Sequence, residues 1–302
     1  METQSQFDVI IIGGSSAGLS AGLALGRALR KVLIIDNGKP CNRQTPHSHN
    51  FLTHDGHTPA DIMEVAKRDV QAYPTVQFLD ATVTDVTGHN TAFTVTVNAT
   101  THYYAGKIIF ATGVKDIMPY MEGFAECWGI SVIHCPYCHG YEYRGKITGI
   151  LANGDTGFEL AKMISNWTDQ LTLFTNGAAT FTDEQHKALI KNNIRITDSE
   201  ISHLIHKDGY IEQVVFKDEG SIAINALYAR LPFVQHTDAP EKLGCEFTEQ
   251  GHIKIDMINK TSVPGVFACG DNTTAMRTLS AAIASGTLAG VAVSKDLTQE
   301  QF

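Results

Sequence analysis

Basic residues are scarce in this chain: 23 Lys and Arg stand against 32 Asp and Glu, for a net charge of -9, and nowhere do the basic residues form a run. Without such a run nothing neutralises a phosphate backbone or an anionic lipid surface, so neither nucleic acid nor a membrane is an expected partner. Cysteine is sparse as well. Six cysteines in 302 residues are too few for a disulfide scaffold, and only Cys135 and Cys138 lie close together in sequence. Cys41, Cys127, Cys245 and Cys269 read as small apolar residues or inert thiols. The opening Met-Glu-Thr-Gln-Ser-Gln-Phe-Asp has neither the basic stretch nor the separate apolar region of a signal peptide, so a cytoplasmic address is expected. Long apolar runs are missing too. The most apolar late stretch, 279–293, is shorter than a bilayer span and is dominated by Ala, Gly and Ser, which suits a tightly packed helix.

What is present suffices for a folded protein. With 43% apolar residues over 302 positions the chain can bury a sizeable core, and its length suggests about two domains. The apolar run Phe7 to Ile12 ends on Gly13-Gly14, and the residues up to Leu29 carry apolar side chains at helical spacing. A buried strand is expected over 31–36, completing a β-α-β unit that opens a doubly wound sheet. Strands are expected over 81–87, 92–97 and 107–112, with Gly88-His89-Asn90 as a turn between the first two. From Lys146 a second strand-turn-helix signal begins, with the next strand over 170–175, and Asp208-Gly209 joins a hairpin of 201–207 and 210–216. A strand ending on Gly270-Asp271, followed by a small-residue helix from about 278 to 295, looks like the first domain resuming after an insertion. The expected fold class is α/β with two Rossmann-like dinucleotide-binding domains: one discontinuous, over 1–115 and 238–302, and one inserted, over 116–237.

Gly13-Gly14-Ser15-Ser16-Ala17-Gly18, with Asp36 at the end of the next strand, is the arrangement that places a pyrophosphate on a helix N-terminus and a carboxylate on an adenosine ribose. Ser15 stands where glycine is usual, and its hydroxyl is a donor for a phosphate oxygen. This loop alone does not separate FAD from NAD. The second chemical motif is His134-Cys135-Pro136-Tyr137-Cys138-His139-Gly140-Tyr141-Glu142. Two residues between cysteines suit an intramolecular disulfide, and a helix starting at Pro136 would lower the thiolate pKa of Cys135 through its dipole. His134 and His139 could strengthen that effect or take thiol protons. Taken by residue type alone, the pair also fits a zinc knuckle completed by His47, His49, His54 or His57, a glutaredoxin-like Cys-Pro-Tyr-Cys site, or a purely structural bridge.

Ala111-Thr112-Gly113 after one buried strand, Gly270-Asp271 after another, and the cysteine pair just before the second β-α-β unit together resemble the thioredoxin reductase branch of the two-dinucleotide-domain flavoproteins. The resemblance runs from Phe7 to about Leu297. It implies FAD in the discontinuous domain, an NAD(P)-type inserted domain carrying the cysteines, and a homodimer. It also implies that Asp271 binds the ribityl chain, that the segment from Met276 through Thr278 points a helix N-terminus at the flavin ring, that Cys138 lies beside the flavin C4a, and that Cys135 meets the substrate. Thioredoxin reductases generally carry an acid after the second cysteine, whereas here the position is His139. In that detail the motif resembles the fungal and bacterial dithiol oxidases that close disulfides in gliotoxin- and holomycin-type metabolites. A histidine of near-neutral pKa there would act as a general base on a dithiol. The loop from Arg43 through His47, His49, Phe51, Thr53, Asp55 and Gly56 resembles the segment of that group that borders the isoalloxazine.

The second fingerprint is eroded. It reads Ala152-Asn153-Gly154-Asp155-Thr156-Gly157, and the strand ending near Thr175-Asn176-Gly177 offers neither the Arg cluster for a 2′-phosphate nor the acid for a free 2′-hydroxyl. NAD(P)H binding therefore cannot be assumed, and oxygen, ferredoxin or the thiol substrate itself would carry electrons instead. The expected activity is FAD-dependent thiol/disulfide exchange through Cys135 and Cys138, with a small dithiol or disulfide, or a thioredoxin-like protein, as partner. A flavin-bound redox sensor without substantial turnover is the alternative from another class. No resident metal is expected.

Overall fold

The run Phe7–Ile12 (β1) is buried along almost its whole length, as a strand covered on both faces of a parallel sheet must be. In the computed structural model, which describes residues 6–302, it leads into the helix Ser16–Arg27 (α1) and the strand Val32–Asp36 (β2). Residues 1–5, which carry most of the sequence reading of the N-terminus, lie outside the described residues. Helix Pro59–Gln71 (α2) and the strands Val76–Asp80 (β3), Val83–His89 (β4), Ala92–Val97 (β5), Thr101–Phe110 (β6) and Val114–Asp116 (β7) follow.

Next come Phe124–Cys127 (α3), Val132–Ile133 (β8), Pro136–His139 (α4), Thr148–Leu151 (β9), Gly154–Ile164 (α5), Leu171–Phe174 (β10), Asp183–Lys191 (α6) and Arg195–Thr197 (β11). The strands Ile201–Lys207 (β12), Tyr210–Phe216 (β13), Ser221–Ala223 (β14) and Ala226–Ala229 (β15) complete that stretch. Phe233–Gln235 (β16), Ala239–Lys242 (α7), Val266–Ala268 (β17) and Leu279–Gln301 (α8) close the chain.

The chain divides into two compact units, one of 1–43, 59–115 and 233–302 and one of 44–58 and 116–232. In the first, the strand order is β3-β2-β1-β6-β5-β4, with β17 also on β6. Beside β1, β6 is long enough to serve two more partners: its first half pairs antiparallel with β5 and its second half parallel with β17. That is how the meander β4-β5-β6 merges into the parallel sheet of β1, β2, β3 and β17. One face of the sheet buries Val9, Ile11 and Ile34 beneath α1 and α8; the other buries Ile10, Ile12 and Leu33 with Val86, Phe93 and Phe110. The late small-residue stretch is indeed a packed helix, α8. Its Gly290 sits so close to α1 that an added Cβ would come within 2.7 Å of the Ala21 carbonyl oxygen, and one on Gly286 would overlap the Ala17 carbonyl.

The second unit holds a parallel sheet of order β11-β10-β9-β15-β8 and an antiparallel one of order β12-β13-β14. The β12–β13 hairpin turns on Asp208-Gly209 as expected, both residues at positive φ (52° and 82°).

Three local readings are corrected, and two elements went unread. β4 runs through His89, so the turn falls on Asn90 and Thr91 instead of 88–90. α2 and β3 were not read from the sequence: α2 is amphipathic and opens on Thr58-Pro59 but buries only Pro59, Ile62 and Val70, and the edge strand β3 buries only Val76. Cys41 is exposed, unlike Cys127, Cys245 and Cys269. The loop 44–58, placed by the sequence within the first segment, groups with the second unit. There Gln44 donates to the Trp128 carbonyl and His49 pairs with Glu142, contacts made between segments far apart in the chain.

Lys107 on β6 is fully buried, with its ammonium 2.7 Å from Asn90 Oδ1, 2.5 Å from Glu300 Oε1 and 3.9 Å from Asp296 Oδ2. It ties the end of α8 to the sheet. Lys107→Ala takes the nearest ammonium from Glu300, which keeps its hydrogen bond from Asn90, while Asp296 keeps its pair with Lys260; the loss is expected to destabilise the protein by about 2 kcal/mol, read as a lower urea midpoint, and an unchanged midpoint would refute this.

Candidate active site

In the first unit the glycine fingerprint forms the β1–α1 turn. Gly13 has φ 106°, and an added Cβ there would overlap the Ala111 carbonyl, while one on Gly18 would overlap the Gly13 carbonyl. Gly14 N–H donates to Asp36 Oδ1 at 2.9 Å, and Gly38 N–H donates to Oδ2 at 3.1 Å. Ser15 is the N-cap residue of α1, yet its side chain makes no capping bond there; Ser15 and Ser16 hydroxyls lie 3.9 and 3.8 Å from Met63 Sδ. Ala17 is buried in the same turn, beneath α8.

Ala111, Thr112 and Gly113 follow the end of β6, and Gly113 takes φ 64°. Asn272, just after Gly270-Asp271, donates to the Phe110 carbonyl at 2.9 Å and to Thr112 Oγ1 at 3.3 Å, so the two landmarks come together. Gly270 has φ 85°, and its N–H donates to Ser285 Oγ at 2.9 Å. Asp271 Oδ2 lies 3.5 Å from Arg277 Nε. Thr278 is the N-cap of α8, its hydroxyl accepting from Ala281 N–H at 3.2 Å. Arg43 is exposed and donates to the Pro40 carbonyl at 3.2 Å.

The redox motif lies in the second unit. β8 delivers the chain to His134, which stacks on Trp128 at 6.0 Å between ring centroids. Cys135 is N-cap of α4, Pro136 takes its first position, and Cys135 and Cys138 form a disulfide with Cα atoms 5.3 Å apart. The helix expected at Pro136 is a single turn, so the dipole at Cys135 is that of one turn and not of a long helix. Around this turn, Tyr137 stands edge-on to Trp167 at 5.5 Å, and an added Cβ on Gly140 would come within 3.0 Å of the Trp167 ring.

Burial pushes the His139 imidazole down to about 4, against the pull of the Glu142 carboxylate and with the help of His49. This corrects the near-neutral value expected from sequence: His139 is neutral at pH 7 and is a weak base. His49 Nε2 lies 3.5 Å from Glu142 Oε1 and its Nδ1 3.6 Å from Asp55 Oδ2. Of the other loop histidines, His47 Nδ1 meets the Gly56 carbonyl at 3.0 Å, and His54 sits between Phe51 and His57. No cluster able to hold a metal ion occurs among the described residues. Burial raises the thiols of Cys127, to about 11, and Cys269, to about 12, which keeps them protonated and inert at neutral pH. Glu142 was not assigned a role from the sequence, although an acid three residues beyond His139 on the same turn was a readable signal.

At the second fingerprint, Asn153 caps α5, its Oδ1 accepting from Gly154 N–H at 2.8 Å, from Thr180 N–H at 2.9 Å and from the Thr180 hydroxyl at 3.1 Å. Beyond β10, Thr175 Oγ1 donates to the Gly177 carbonyl at 2.7 Å, and Asn176 Oδ1 accepts from Ile201 N–H at 2.7 Å.

Two dinucleotide-type sheets, one of them carrying a two-residue-spaced disulfide beside a half-buried histidine, define a disulfide oxidoreductase. The family model for pyridine nucleotide-disulphide oxidoreductases matches residues 7–286, and the chain belongs to that family as a thioredoxin reductase-type flavin enzyme. It is 32% identical to the thioredoxin reductase sirT of Leptosphaeria maculans, over 96% of this chain and 94% of that one. Among solved structures it is similar to an oxidoreductase from Agrobacterium tumefaciens, at 37% identity and TM-score 0.91, covering 97% of this chain and 98% of the other. It is also similar to HlmI, at 30% identity and TM-score 0.92, covering 98% and 93%. No helix among the described residues is long and apolar enough to cross a membrane.

Proposed function

We propose that this protein oxidises a small dithiol through Cys135 and Cys138, passing the electrons to FAD and on to an acceptor other than a nicotinamide nucleotide, such as oxygen. The observation that carries the reading is the disulfide Cys135–Cys138 with neutral His139 directly after it, in a chain whose second fingerprint spends Asn153, Thr175 and Asn176 on its own backbone.

The first fingerprint fits the FAD that the family implies. Gly13 and Gly18 leave no Cβ in the crowded turn, the N-cap side chain of α1 leaves the first-turn N–H groups open to a phosphate, and each oxygen of Asp36 accepts a backbone N–H with lone-pair capacity left for a ribose hydroxyl. Gly14, Ser15, Ser16, Ala17, Asp36, Ala111 to Gly113, and Gly270, Asp271 and the Thr278-capped end of α8 would hold it; Arg43 and His49 are assigned to the same cofactor. Bound FAD supplies a two-electron acceptor that returns the reduced cysteines to the disulfide. The remaining chemistry belongs to the chain: His139 takes a proton from a substrate thiol, the thiolate attacks Cys135, and the S–S electron pair leaves on Cys138. The second substrate thiol then displaces Cys135, leaving substrate disulfide and two protein thiols. The protein acts as a homodimer in the cytoplasm on this reading.

Following thiol loss and peroxide together while a small dithiol is incubated in air tests the proposal. Two thiols lost per peroxide formed is the expected result. A disulfide that is reduced once without turnover would instead mark a sensor, and turnover only with a reduced nicotinamide and a thioredoxin-like protein would overturn the direction.

A further inference from the structure

Glu142 follows His139 by three residues in the turn that continues α4, where Gly140 N–H donates to the Pro136 carbonyl at 2.7 Å and Tyr143 N–H to the Gly140 carbonyl at 3.2 Å. Residues three apart on such a turn share a face. One carboxylate oxygen, Oε1, lies 3.5 Å from His49 Nε2, whose other nitrogen reaches Asp55. The second, Oε2, is buried and has no hydrogen-bond partner among the described residues. A buried carboxylate oxygen left without a donor is costly, and its natural use is to meet a positive charge that appears during a reaction.

We propose that Glu142 is a positioning residue for the dithiol step: its carboxylate stabilises the protonated form of His139 while the substrate thiolate attacks Cys135, and its pairing with His49 latches the loop 44–58 to the turn that carries the cysteines. The inference rests on the dithiol exchange proposed above. The proton balance calls for such a group. When the first substrate S–H bond breaks, its proton goes to His139; the new S–S bond forms to Cys135 and the old electron pair departs on Cys138. Burial makes His139 a poor acceptor even with Glu142 beside it; of the two neighbours that act on it Glu142 favours its protonation while His49 opposes it, so removing the carboxylate charge makes the proton transfer harder still. Among the described residues the phenols of Tyr143 and Tyr228 also feel the Glu142 charge; burial pushes both up, Tyr143 to about 12, so both stay neutral at physiological pH and supply no counter-charge, while Asp55 lies beyond His49 on its other nitrogen.

The test is the rate at which dithiothreitol opens the Cys135–Cys138 disulfide of the holoprotein without oxygen, read by acid quench, alkylation and mass measurement from about pH 6 to about pH 9. Glu142→Gln keeps the shape and removes the charge. It is expected to slow disulfide opening at least about tenfold near neutral pH, with the deficit closing as the dithiol begins to ionise by itself. Glu142→Asp should recover most of the rate. A wild-type rate and profile in Glu142→Gln overturns the proposal, and so does an equal loss at every pH that Glu142→Asp fails to relieve, which is the pattern of lost packing. If the wild-type disulfide resists the dithiol at every pH, dithiol exchange itself fails and this inference falls with it, a result distinct from a silent Glu142→Gln.

Discussion

Cys138→Ser is expected to lower dithiol turnover by at least about a thousandfold while the protein still purifies with flavin at the wild-type ratio. The two halves of that expectation have separate causes. Cys138 is the leaving group of the proposed exchange, and serine at the same place in the single turn Pro136–His139 cannot form the disulfide that accepts two electrons from the substrate. The fingerprint residues assigned to FAD, from Gly13 to Asp36, belong to the other compact unit and form their turn with Ala111 and Gly14 without help from the cysteines. The variant also offers a positive signature. With Cys135 left as a free thiol, the disulfide of a monothiol should form a mixed disulfide that Cys138 is no longer there to resolve, visible as an added mass on the intact protein. Full activity in Cys138→Ser would remove the pair from the mechanism.

Adding NADPH or NADH without oxygen is expected to leave the oxidised-flavin absorbance unchanged, whereas a small dithiol should bleach it. A functional nicotinamide site needs a tight turn at the first glycine and a ribose reader at the end of the second strand. Here Ala152 holds the first position, and Asn153 Oδ1 accepts from Gly154 N–H and from both N–H and hydroxyl of Thr180, binding the loop to its own neighbour. At the strand end Thr175 and Asn176 are engaged with the Gly177 carbonyl and the Ile201 N–H, and neither carries a charge to recognise a 2′-phosphate or the anionic acceptor for a ribose diol. Bleaching by either nucleotide at a rate matching turnover would mean that the altered fingerprint still works, and would return the protein to ordinary thioredoxin reduction. Bleaching by the dithiol alone is the outcome that fits a dithiol oxidase.

Much of this was decided locally and could be seen in the residues themselves. The apolar run of β1 ending on Gly13-Gly14, the hairpin turn Asp208-Gly209 and the Cys-x-x-Cys spacing each depend on φ preferences, burial periodicity or a loop of two residues, all of which a short window of chain determines. Those signals were enough for the fold class, the family resemblance and the disulfide. They were too weak for β3, an edge strand that buries only Val76, and they misplaced the turn after β4 because His89 still fits the ladder. Only the tertiary structure decided that the loop 44–58 belongs with the second unit, that His49 meets Glu142, and that Lys107 is buried among Asn90, Asp296 and Glu300. It also lowered His139 to about 4, where composition alone suggested an ordinary histidine. The physical reason is common to these cases: a side chain's pKa and its ion-pair partner are set by what burial and long-range packing bring beside it, and no window of sequence contains both members of such a pair.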